Sequence, residues 1–471
     1  MDMPALVSDW TQREIPVLAG TAAALRELGK DEDRTSARDI SRVVLRDPLM
    51  TLRVLRHAEI NRSSRQPTDI TTVEHAVMMR GISRFFRDFA ELPVLETQLA
   101  SDGEALHGAL TVISRAQHAA VYARAMASHR VDLETGEVII GALLHDLAEL
   151  LLWCHEPRKA ALIRYLLEHA PGVRSAGVQS VVLGFSNVDL TLALADAWRL
   201  PPLLRRLMDD HHAARPRVVN VVVAAALARH TAQGWNDPAI PDDLNAVRSL
   251  TGLKPEASYR LVRNASLQAA AWWRSTGVRP AAARFPSIAD PAASTAVPES
   301  HAEASIPRFR EALSSLKQAP PGTEPAALAA MTLYALHKGL GMERAAWGEV
   351  DERTGQLHIR LALGDVRPGL RGYRMPLDDR HLFVLLLQKT RCVFATGERR
   401  ERLVSLLDAQ GRSTIGANDF VAMSLVFPGR PRVLFLADHP RSGQAIDEKM
   451  LPAFRAACIA FARCAASAPN R

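Results

Sequence analysis

The sequence predicts two structural classes in one chain: an all-α domain over residues 10–275 and an α+β domain over residues 323–467, an antiparallel sheet with flanking helices. Three observations carry this. Apolar residues recur at helical spacing almost without interruption from Ile15 to Trp273, the pattern of packed helices. Seven prolines (Pro280, Pro286, Pro291, Pro298, Pro307, Pro320, Pro321) among Ala and Ser then mark a linker at 276–322. Beyond it, alternation with a period of two replaces the helical period. A length of 471 residues also exceeds what one core ordinarily organises.

In the first half, Ser36 to Leu55 carries Ile40, Val43, Val44, Leu45, Leu52, Val54 and Leu55 on one side and is interrupted at Asp47-Pro48. Proline suits the first helical position and aspartate the N-cap before it, so two helices meet there at a sharp turn. Further helices are predicted over Val73–Met79, Ile82–Phe89, Gly108–Ser128, Val138–Trp153, Lys159–Glu168, Val188–Trp198, Leu203–His212 and Val218–Thr231. Inside the linker, Ile306, Phe309, Leu313 and Leu316 are spaced as a short amphipathic helix. In the second half a helix over Pro325–Gly339 precedes strands at Arg344–Val350 and Gln356–Leu363, with Asp351–Gly355 as a hairpin loop. A short strand at Cys392–Ala395, a second hairpin of Phe420–Phe427 and Arg432–Asp438, and a helix over Asp447–Cys464 complete the chain.

The composition narrows the classes of function. The net charge of +7, from 58 basic and 51 acidic residues, is dispersed and largely arginine. Nucleic-acid binding would need that charge on one face, so it is disfavoured. Four cysteines (Cys154, Cys392, Cys458, Cys464) have no metal-type spacing and fit a reducing compartment. The amino terminus lacks a basic, then apolar, leader pattern, and no uncharged apolar run approaches the roughly 18 residues of a membrane span. The expectation is a soluble cytoplasmic chain.

One stretch stands out: Ile139 to Trp153 reads as a helix apolar nearly all round, yet His145-Asp146 lies in its middle. Unpaired, such groups would cost several kcal/mol in lost hydration. They must be bonded to other side chains or coordinate a metal.

Taken in order, the segments resemble the HDOD family, the HD-related output domains of bacterial signalling proteins. The resemblance is carried by Asp47 to Ala58, with Asn61-Arg62-Ser63 slightly displaced from the family's Asn-Ser, and by Val73 to Gly81. It continues through His118, Leu144 to Leu150, Leu183-Gly184, Trp198-Arg199-Leu200-Pro201 and Asp210-His211-His212. The carboxy-terminal half resembles a GAF domain in its order of elements, not through a motif. The resemblance implies a bacterial signal-transduction or regulatory protein, with the helical domain as an interaction module and the second domain sensory or dimerising.

It also supplies a test of catalysis. In catalytic HD phosphohydrolases a first His, the His-Asp doublet and a late Asp hold one or two divalent metals. His118, His145 and Asp146 match the first three, with His211 and His212 as weaker candidates. The late Asp falls at Ala225 or Ala226, a further His at Asn187, and a Glu at Gln179. Alanine offers no ligand, and Asn and Gln are poor ones for Zn, Mn or Fe. His211-His212 is also not followed by Gly-Tyr-Pro, the mark of cyclic-dinucleotide phosphodiesterases. The reading is a degenerate metal site with no catalytic residues, three surviving groups that could hold only a weakly bound divalent ion, and no other cofactor. Its alternative is a metal-dependent HD-type phosphohydrolase acting on a nucleotide or cyclic dinucleotide. The partners expected are proteins, a second copy of the chain and a small molecule at the GAF-like domain; neither membrane nor nucleic acid is expected.

Overall fold

Ser36 and Asp47 show at once how local sequence becomes structure. Ser36 accepts from the Asp39 backbone at 3.2 Å while the Asp39 side chain accepts from Ser36, a reciprocal cap that starts the helix Ala37–Val44. Asp47 then caps Pro48–Ile60, its Oδ1 accepting from the backbones of Leu49 and Met50 at 2.9 and 3.1 Å. Its Oδ2 accepts from Leu18 N at 2.8 Å, so one buried carboxylate ties the helix Ala19–Leu28 to the same turn.

The computed structural model describes residues 2–61, 69–130, 135–209, 215–272, 278–280, 283, 304–364, 369–377, 381–416, 418–440 and 442–466. They form two compact units. One is made of residues 1–161 and 187–294; the other joins residues 162–186 to 295–471.

The first unit is helical throughout its named elements. Its centre is the helix Gly103–Ala127, started by Asp102, whose side chain accepts from Ala105 N at 2.9 Å. Helices Thr135–Leu144, Leu147–His155, Pro216–Gln233 and Pro255–Trp272 pack on it. The contact with Leu147–His155 depends on Gly108: a Cβ there would lie 2.3 Å from the Trp153 indole. Gly108→Val is therefore expected to cost about 2–3 kcal/mol in urea unfolding, since an overfilled contact must separate the two helices.

The stretch predicted as one helix over Val138–Trp153 is two, Thr135–Leu144 and Leu147–His155, with His145-Asp146 at the break. From Thr135 to His155 the segment is long and apolar enough to cross a membrane, yet 78% of its apolar window is buried inside the fold. It is a core element, and a core is what makes it apolar all round. The helix predicted over Leu203–His212 is shorter, Pro202–Leu207, and residues 210–214 lie outside the described residues.

The second unit has a six-stranded antiparallel sheet in the order β3-β2-β1-β6-β5-β4. The strands are β1 Arg344–Asp351, β2 Gln356–Leu363, β3 Arg374–Pro376, β4 Arg391–Ala395, β5 Phe420–Leu425 and β6 Val433–Asp438. Alternation assigns the faces. Ala346, Val350, Leu434 and Leu436 enter a core with Phe383 and Leu386 of the helix Leu382–Leu387. Trp347 and Phe435, paired across β1 and β6, face the other way and meet Phe461 of the helix Leu451–Ala466. Arg344 and Asp438, fully buried and opposite one another in the register, form an ion pair, Nε to Oδ1 2.8 Å.

The amphipathic helix read inside the linker is present as Ile306–Lys317, with Phe309, Ala312 and Leu316 buried. Strand β3 escaped the sequence reading because it is three residues long and ends in Pro376, which is tolerated only at an edge. The helix predicted over Pro325–Gly339 is Pro325–Tyr334, continued by a wider turn over Ala335–Gly339. It packs against Ser175–Leu183, a helix taken from the first half of the sequence. Gly177 permits the approach, since a Cβ would lie 3.1 Å from that of Ala327.

Candidate functional site

The helix Gly103–Ala127 brings Arg115 and His118 inward, one turn apart, and the break in Thr135–His155 supplies His145 and Asp146, whose side chains are also largely buried. At that break Asp146 is freed from a helical position and turns its carboxylate to Arg115. The Arg115 Nη2 donates to Asp146 Oδ2 at 2.9 Å and to Glu149 Oε2 at 2.6 Å. His145 Nδ1 lies 3.0 Å from Asp146 Oδ1, and Arg229 Nη2 lies 3.7 Å from the same oxygen. The Arg115 and Asp146 side chains are each only 13% exposed, so the charges act through low-dielectric surroundings.

Burial works to raise the Asp146 pKa, but the Arg115 charge, the His145 hydrogen bond and Arg229 outweigh it and hold the carboxyl well below the usual range. For Arg115, burial pulls down while Glu149 and Asp146 pull up more strongly, and the guanidinium stays charged. The site is an ionised, hydrogen-bonded cluster.

His118 is buried on the same helix as Arg115 but is bonded elsewhere. Its Nδ1 pairs with the carbonyl of Ser114 at 2.7 Å, while Nε2 is buried with no hydrogen-bond partner. Burial pushes its pKa down, so the ring is neutral with Nδ1 carrying the proton. Among the described residues, no three His, Cys, Asp or Glu side chains form a group able to hold a metal. His211 and His212 lie outside the described residues.

The positions expected to help a metal are occupied differently. Ala225 is buried in Pro216–Gln233, and the side chain from that helix that reaches Asp146 is Arg229. Asn187 opens the helix Asn187–Ala197. Sequence reasoning missed Arg115, Glu149 and Arg229. Two signals were there: Glu149 follows Asp146 by three residues, and Arg115 precedes His118 by three, so each pair shares a helical neighbourhood. Away from this cluster, His57 Nε2 lies 3.1 Å from Asp88 Oδ2, which also accepts from Arg80 Nε.

Comparison with known proteins bears on the helical half. Residues 15–214 match the HDOD domain model. The chain is similar to the MmoQ response regulator of Methylococcus capsulatus str. Bath, 22% identical over 53% of this chain and 98% of that one, TM-score 0.41. It is similar to a virulence factor of Campylobacter jejuni subsp. jejuni, 17% identical over 57% and 100% of the two chains, TM-score 0.40. An HDOD domain protein of Geobacter sulfurreducens is 16% identical over 57% and 95%, TM-score 0.31. No curated protein matches. The helical half of this chain carries an HDOD domain at residues 15–214.

Proposed function

We propose that the HDOD domain is a non-catalytic interaction module of a bacterial cytoplasmic signalling protein, and that the carboxy-terminal unit is a GAF-like sensory or dimerising domain. The observation that carries the first part is the commitment of Asp146 to Arg115, His145 and Arg229. A metal needs the lone pairs these groups use. A dication 4 Å from the Arg115 guanidinium would also meet roughly 8 kcal/mol of repulsion at an effective dielectric of about 20. The donor set as folded does not fit a divalent ion, because guanidinium charge already balances the carboxylates.

The GAF-like reading rests on the central antiparallel sheet with helices on both faces. In that reading a small molecule or partner protein biases the second domain between states, and the helical surface answers. One observation favours the phosphohydrolase alternative, the bare buried Nε2 of His118.

Elemental analysis of the purified chain, with hydrolysis assays on nucleoside triphosphates and cyclic dinucleotides, separates the two. The expected result is Mn, Fe and Zn far below one ion per chain and no turnover. Stoichiometric metal that disappears in His145→Ala, together with hydrolysis, would overturn the non-catalytic reading.

A further inference from the structure

Asp146 occupies the N-cap position of the helix Leu147–His155. An aspartate there ordinarily accepts from the second or third backbone N–H of its own helix. Here it makes no such bond, because its carboxylate is turned to Arg115, His145 and Arg229. The second N–H, that of Ala148, is accepted instead by Thr191 Oγ1 at 3.2 Å. Thr191 is 1% exposed and Ala148 fully buried, so without the threonine this N–H would be a buried orphan.

Thr191 stands on the helix Asn187–Ala197, and the residues just before that helix belong to the other unit. The chain leaves the first unit after Ala161 and returns to it at Asn187. Within the second unit, Ser175–Leu183 buries Val178, Val181, Val182 and Leu183 and packs on Pro325–Tyr334, with Gly177 at the contact. Gly184, at a φ of 96°, ends Ser175–Leu183 in the left-handed region that glycine adopts without strain. Only Gly184, Phe185 and Ser186 separate that helix from Asn187. Three residues span at most about 11 Å. A displacement of Ser175–Leu183 in the core of the second unit therefore pulls on the helix that carries Thr191.

One N–H thus has two acceptors within its reach along the chain and the fold. When Thr191 withdraws, Asp146 already holds the capping position, and turning its carboxylate to Ala148 N takes it from Arg115.

We propose that Thr191 and Asp146 form a cap-exchange switch. With Thr191 on Ala148, Asp146 holds Arg115; a shift of residues 162–186 withdraws Thr191, turns Asp146 to Ala148 N and leaves Arg115 to Glu149. Thr191 is a positioning residue for the carboxylate cluster, and the exchange is a two-state element of the kind that coupling requires. This switch deepens the reading that the carboxy-terminal unit biases the helical one, and rests on it.

Hydrogen–deuterium exchange of the full chain, read by mass spectrometry on peptides within Leu147–His155, tests the switch as a mutant cycle. In the wild-type background Arg115→Met is expected to speed exchange about tenfold or more, since Asp146 loses its partner. Thr191→Val keeps the shape and removes the acceptor. Arg115→Met added to it should bring less than about a threefold further increase, because Asp146 has already left Arg115. Thr191→Ser restores a hydroxyl, and with it the full effect of Arg115→Met. Gly177→Val, whose Cβ would lie 3.1 Å from that of Ala327, should diminish the Arg115→Met effect as Thr191→Val does. Gly348→Ala, whose Cβ would lie 2.7 Å from Ile359 Cδ1, strains the same unit between β1 and β2 and should leave that effect at full size. A full Arg115→Met effect beside Thr191→Val would overturn the exchange of caps. A full effect beside Gly177→Val, or a diminished one beside Gly348→Ala, would overturn its control by residues 162–186. Metal content and turnover play no part in these outcomes, so the non-catalytic reading stands or falls separately.

Discussion

Replacing Arg115 by methionine is expected to destabilise the helical unit by about 3–5 kcal/mol, the cost of stripping one partner from a buried ion pair. Methionine keeps the bulk of the arginine stem, so the loss reports charge more than packing. Asp146 would retain His145 and the more distant Arg229; Glu149 would lose its 2.6 Å donor. Adding Asp146→Asn and Glu149→Gln should recover part of the loss, because no unbalanced carboxylate then remains.

The pH dependence has a definite sign. The folded-state pKa of Asp146 is depressed by Arg115 against the opposing effect of burial. Its stabilising contribution is therefore complete above the unfolded value, about 3.9, and is lost as pH falls through the folded one. In Arg115→Met the main depressing charge is gone. The stability gap between wild type and variant should be flat from about pH 8 to 5 and narrow below about pH 4, where the unfolded chain takes up a proton that the variant's Asp146 also accepts and folded wild-type Asp146 does not. Urea unfolding at several pH values measures it. A gap under about 1 kcal/mol at neutral pH would mean that the guanidinium is not what balances the cluster.

Asp47→Ala is expected to cost about 3–4 kcal/mol by the same measurement. The loss of a helix cap alone is typically about 1 kcal/mol. Here the same carboxylate also accepts from Leu18 N at 2.8 Å in a position with no solvent exposure, so three backbone N–H groups lose their acceptor. Asp47→Asn keeps one acceptor oxygen and should cost roughly half as much. If alanine costs no more than an ordinary cap, the backbone donors have found other partners.

These two residues were unequally legible. Asp47 precedes Pro48, and that dipeptide states its own role: cap, then first helical residue. The Leu18 contact could not be read, because it joins segments 29 residues apart. Strand alternation was equally open, and β2 falls on the predicted Gln356–Leu363. His145-Asp146 was visible as a polar doublet in an apolar run, but its partners were not. Arg115 stands 31 residues before Asp146, and no periodicity links the two.

The sequence by itself determined the order of classes, the capped turns and the presence of charge inside a core, because these follow from neighbours one helical turn or one strand position apart. Only the tertiary structure decided that the buried charge is balanced by guanidinium groups and that the continuous apolar run is broken at the doublet. It also placed residues 162–186 in the same compact unit as the carboxy-terminal sheet. The reason is physical: a buried carboxylate requires some partner, but which cation supplies it depends on which helices the core brings within 3–4 Å.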